Sequence, residues 1–87
     1  MKILNITGER ASGKTAAVTL LINKFGGRML QATSASQLRA QLATITSAPN
    51  NNLAVDFDRK PSPALTAHVI QHAKSIGIQH LVLASPS

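Results

Sequence analysis

Eighty-seven residues with no cysteine and only two aromatics, Phe25 and Phe57, describe a single small domain over residues 1–87, without a disulfide framework or a thiolate metal site. Nine Lys/Arg against three Asp/Glu give a formal net charge of +6, which favours polyanionic partners: nucleotides, nucleic acid or an acidic protein. No apolar run approaches the ~20 residues of a membrane span and no charged-then-apolar leader opens the chain, so a cytoplasmic protein with no membrane partner is expected.

Met1-Lys2-Ile3-Leu4-Asn5-Ile6 reads as a short apolar strand. Gly8-Glu9-Arg10-Ala11-Ser12-Gly13-Lys14-Thr15 follows it and matches G-x-x-x-x-G-K-[ST] at every fixed position. Gly8 and Gly13 permit backbone angles and close approaches that a β-carbon forbids, so successive N–H groups can turn inward around an anion. Lys14 supplies a point charge for the β- and γ-phosphates and Thr15 a hydroxyl for Mg²⁺. A helix starting at Lys14 adds its free N–H groups and positive dipole end. That helix carries Ala17, Val18, Leu21, Ile22 and Phe25 on one stripe and stops at Gly26-Gly27.

Arg28 to Thr33 reads as a second strand, and Ser34 or Ser36 caps a second helix with Leu38, Leu42 and Ile45 at helical spacing. Residues 47–52, one proline and three asparagines among them, are a loop. Leu53-Ala54-Val55-Asp56-Phe57-Asp58 reads as a third strand running into acidic residues. Ser62 caps a third helix with Pro63 in its first turn and Leu65, Val69, Ile70 and Ala73 along it, and Gly77 ends it. Ile78 to Ser85 is a fourth strand. The alternation of strand and helix predicts an α/β fold on a parallel sheet, with right-handed crossovers placing helices on both faces.

A nucleotide triphosphate site also needs a carboxylate for Mg²⁺ at a neighbouring strand end. Asp56 is the candidate. Asp58 competes for the metal, since the register of the strand is open in sequence; with Asp56 on the metal, Asp58 is a candidate general base for an attacking water. Arg10 and Arg59 are possible phosphate clamps. His68 and His72, four apart on the third helix, lack a third ligand and read as helix surface; His80 reads as structural. Ser12 has no histidine–carboxylate partner and belongs to the phosphate loop rather than acting as a nucleophile.

These motifs together resemble the minimal core of a P-loop NTPase, similar to the additional-strand class that includes RecA-like and AAA-type ATPases. The resemblance implies a three-layer fold with a four-stranded parallel sheet in the order 2-3-4-1. It also makes Asp56 a short Walker B aspartate and Ser85, after Leu81-Val82-Leu83-Ala84, a sensor of the γ-phosphate. Family members often carry a catalytic Glu directly after the Walker B Asp; here that position is Phe57. No N/T-K-x-D segment for guanine is present, which leaves ATP with Mg²⁺ as the expected ligand. The resemblance further implies a missing fifth strand beside the first, and an edge so exposed predicts a homo-oligomer or a partner protein. Function is expected to be ATP binding, with weak or partner-completed hydrolysis in which Lys14 and Asp58 act; the alternative is a non-catalytic module engaging a protein or nucleic acid.

Overall fold

The computed structural model describes residues 1–9 and 13–86. The elements alternate as β1 (Lys2–Thr7), α1 (Lys14–Phe25), β2 (Arg28–Ala32), α2 (Ala35–Thr44), β3 (Asn52–Phe57), α3 (Pro63–Ser75) and β4 (His80–Ser85), with a 3₁₀ turn at Pro49–Asn51. All strand pairs are parallel, in the order β1-β4-β3-β2, which is β2-β3-β4-β1 read from the opposite edge.

Side-chain alternation sorts the strands onto two faces. Leu53, Val55 and Phe57 of β3 and Leu81 and Leu83 of β4 face α2 and α3, where they meet Leu38, Leu42, Leu65 and Val69 in the main core. Ala54 of β3 and Ala84 of β4 face α1 and pack on Val18, with Ile6, Ile22, Met29 and Val82 around them. Small alanines at the centre of this second face let α1 lie close to the sheet. The result is three layers: α1, sheet, then α2 with α3.

Local chemistry fixes the boundaries. Ser34 rather than Ser36 caps α2, its hydroxyl accepting from the Gln37 N–H at 3.2 Å, and Ser62 caps α3 by accepting from the Leu65 N–H at 3.1 Å. Asn50 and Asn51 take the left-handed angles that asparagine tolerates, φ 54° and 57°, and the Asn50 side chain then donates to the Phe25 carbonyl at the end of α1. Gly27, at φ 137°, passes so close to Asn52 that an added β-carbon would lie 2.7 Å from its carbonyl oxygen.

Several expectations change in detail: β2 ends at Ala32 rather than Thr33, and β3 spans Asn52–Phe57, so that Asn52 leaves the expected loop and Asp58 the expected strand. β4 begins at His80 rather than Ile78, because Ile78 is still in the connection, buried against the α3 face. The buried stripe of α1 is narrower than expected: Val18 is buried and Leu21 and Ile22 are half-buried, but Ala17 is exposed and Phe25 is 57% exposed, with the Lys24 ammonium 5.4 Å from its ring centroid. The last turn of α1 opens onto a groove beside β1, whose own Leu4 is 51% exposed, so no second layer of side chains closes over the ring.

Candidate functional site

Parallel strands deliver their carboxyl ends to one rim of the sheet, and the helix that follows β1 starts at that rim. Gly13 directly precedes α1 with φ +82°, a left-handed angle, and no acidic residue occupies the first turn of the helix. Its free N–H groups therefore keep their positive end uncompensated by a carboxylate in that turn.

The first two residues of α1 then reach across to β3. Lys14 Nζ donates to Asp56 Oδ1 at 2.9 Å and to the Phe57 carbonyl oxygen at 3.1 Å, while Thr15 Oγ1 donates to Asp56 Oδ2 at 2.7 Å. Both carboxylate oxygens are thus engaged by consecutive residues of one helix turn. Lys14 and Asp56 are buried, at 8% and 7% exposure, and are the buried charged residues among those described. A buried charge is tolerated only when it is paired and hydrogen-bonded, and this pair meets both conditions.

Asp56 is placed here by alternation. It shares the α1 face of β3 with Ala54, whereas Phe57 turns into the main core and is 2% exposed. The strand does run through Phe57, yet Asp58 lies beyond its end. There its N–H donates to the Ala32 carbonyl at 2.9 Å, and its exposed side chain borders the same cavity as Asp56. Of the two carboxylates left open by the sequence, Asp56 makes the contacts to Lys14 and Thr15.

A cavity of about 290 Å³ opens over the pair. Its described walls are Lys14 and Thr15 of α1, Gln31 to Thr33 at the end of β2, Asp56 to Asp58, and Pro86. Gln31 and Thr33 did not stand out in the sequence. The signal that could have found them is position, since both lie at the carboxyl end of the strand beside β3, and Gln31 is the register partner of Asp56.

The other expected site residues fall as follows. Gly8 is half-buried and its N–H donates to the Ser85 carbonyl at 3.3 Å, so β4 anchors the entrance of the loop. Glu9 is exposed. Arg10, Ala11 and Ser12 lie outside the described residues. Ser85 is the register partner of Thr7 and shares its alternation with Leu81 and Leu83, opposite the face of Asp56; it does not line the cavity, whereas Pro86 does. His72 Nε2 donates to the Ile45 carbonyl at 2.9 Å and ties α3 to the end of α2. Among the described residues no group of three or more His, Cys, Asp or Glu is placed to hold a metal, and no helix is long and apolar enough to cross a membrane.

Comparison with protein-family models, with curated proteins and with solved structures found no match to this chain.

Proposed function

We propose that this chain is a P-loop protein of the additional-strand type that binds the phosphates of a magnesium nucleotide, ATP in the first instance. The observation that carries the reading is the convergence of Lys14 and Thr15 on Asp56, a residue on another element, at the carboxyl rim of a parallel sheet. A strand-to-helix turn that binds nothing has no need for a buried lysine beside a hydroxyl and a carboxylate.

The donor set fits a hard divalent cation. Mg²⁺ takes oxygen ligands, keeps several waters and is held by one or two protein oxygens plus phosphate, so the Thr15 hydroxyl and Asp56 carboxylate suffice without a cluster of acids. When bound, the ion supplies neutralisation of charge on the β- and γ-phosphates. Lys14 has a third N–H beyond the two it donates to Asp56 and Phe57, and that donor serves a phosphate oxygen. The first-turn N–H groups of α1 hold the anion from the other side.

Phe57 gives the reading its limit. At the position where a catalytic carboxylate would follow Asp56 stands a ring buried in the core, so binding is expected to be firmer than turnover. Asp58, bordering the cavity, is the residue left to take a proton from water. Calorimetric titration with ATP, GTP and adenosine, each with and without Mg²⁺, followed by a phosphate-release assay, tests the proposal. Binding that requires both the phosphates and Mg²⁺ supports it; adenosine binding as tightly as ATP, or no binding by either nucleotide, overturns it.

A further inference from the structure

The site above uses one rim of the sheet; the edge formed by β1 is a separate surface. In a parallel pair, one residue in two directs both its N–H and its C=O to a given neighbour, and the residues between point away. The Lys2 N–H donates to the Gln79 carbonyl at 2.8 Å and the Gly8 N–H to the Ser85 carbonyl at 3.3 Å, so the even-numbered residues of β1 face β4. Ile3, Asn5 and Thr7 therefore present their N–H and C=O groups at the open edge of the sheet. All three are exposed, and so is Leu4. On the α1 side the edge runs into an apolar groove of about 610 Å³ lined by Leu4, Leu21, Ile22, Phe25 and Val82, larger than the cavity over Lys14.

We infer that this edge pairs with β1 of a second copy of the chain, antiparallel about a twofold axis at Asn5. Outward residues must oppose outward residues for their hydrogen bonds to be exchanged, and the register that uses all of them sets Ile3 against Thr7 of the partner subunit and Asn5 against Asn5 of the partner subunit. A shift by two residues in either direction leaves an outward residue beyond the paired strand. Charge selects the same arrangement. β1 begins with Lys2, and the acidic Glu9 lies two residues past its end, so antiparallel pairing brings the basic end of one strand beside the acidic end of the other, whereas parallel pairing stacks like on like.

The faces agree with this register. Leu4 comes opposite Ile6 of the partner subunit on the α1 side. The axis stands perpendicular to the sheet and keeps both copies of α1 on one side, so the two apolar grooves meet as one. A four-stranded sheet becomes eight-stranded, and the edge liability of β1 is removed.

Asn5 supplies the test, because the chain has no cysteine of its own. In the proposed register the Asn5→Cys variant places two thiols on residues whose Cα atoms are about 5.5 Å apart, within disulfide reach. The Ile3→Cys variant places its own pair four residues apart along the ladder, about 13 Å, which is beyond it. Mild oxidation of the purified chain should therefore cross-link Asn5→Cys and leave Ile3→Cys largely unlinked. In parallel, Asn5→Pro removes an outward N–H without touching the β4 ladder; it should keep the wild-type circular dichroism and become monomeric by light scattering. Equal cross-linking of both cysteine variants, or a wild-type chain that stays monomeric up to about 1 mM, overturns the inference. The second result would assign the edge to a strand of different sequence.

Discussion

Replacing Lys14 by methionine keeps the aliphatic stem and removes the ammonium, leaving the Asp56 carboxylate, 7% exposed in the native chain, with the hydrogen bond from the Thr15 hydroxyl but without its counter-charge. Breaking a buried ion pair by deleting one partner costs about 3–5 kcal/mol, because the remaining charge has lost its water and its counter-charge together. The cavity over the pair gives water partial access, which favours the lower end. A loss of about 3 kcal/mol is a large share of the 5–15 kcal/mol typical of native domains. For a chain of this size it lowers Tm by about 12 °C or more. Urea unfolding followed by circular dichroism reads the same loss as a midpoint lower by at least about 1 M. The double variant Lys14→Met with Asp56→Leu removes both charges and should recover most of it. A Lys14→Met single variant with the wild-type midpoint, or a double variant no more stable than the single, would refute the buried-pair reasoning. The result also governs how nucleotide binding by any Lys14 variant is interpreted, since affinity must be measured where the variant is folded.

Thr15→Ala should lower stability by about 1.5–3 kcal/mol, since the lost hydrogen bond is to the buried Asp56 carboxylate, while removing most of the Mg²⁺ enhancement of ATP binding in calorimetry. Gly27→Ala should destabilise by more than about 2 kcal/mol in a thermal melt, because the new methyl meets the Asn52 carbonyl, which belongs to β3 and cannot move aside; Gly13→Ala, whose added carbon meets no atom within 4 Å among the described residues, should cost the left-handed angle, about 1–2 kcal/mol. Ser62→Ala deletes the α3 cap and should lower stability by about 1 kcal/mol.

The layered α/β architecture was legible because hydrophobic period and cap chemistry agreed over α2 and α3: Leu38, Leu42 and Ile45 at helical spacing are all buried, and Ser62 followed by Pro63 marks the start of α3. The site was legible in part. Lys14 and Thr15 were fixed by the spacing of two glycines, but the choice between Asp56 and Asp58 required the face of β3 that α1 covers, which is a property of the packed sheet. Gln31 and Thr33 were missed because a strand end is defined only once neighbouring strands are aligned. Phe25 was misassigned because its place on the α1 stripe reports which way the helix turns, while its burial depends on what lies across from it, and β1 there is an open edge.

The pairing of Lys2 with His80 has a consequence for how the chain reaches its native state. In the sheet β1 lies beside β4, yet β2, β3 and all three helices lie between these two strands along the chain. Until β4 exists, Ile3, Leu4 and Ile6 have no ladder to join. Contacts of such sequence separation must be closed against a large loss of chain entropy, so docking of β1 is expected late and slow. The helix that begins at Lys14 can pack on β3 before that step, but the Gly8 to Ser85 bond that anchors the entrance of the loop cannot form until it is complete. The Gly8 to Ser85 bond would then mark the docking of β1, and a nucleotide bound as proposed above would act by trapping β1 in place.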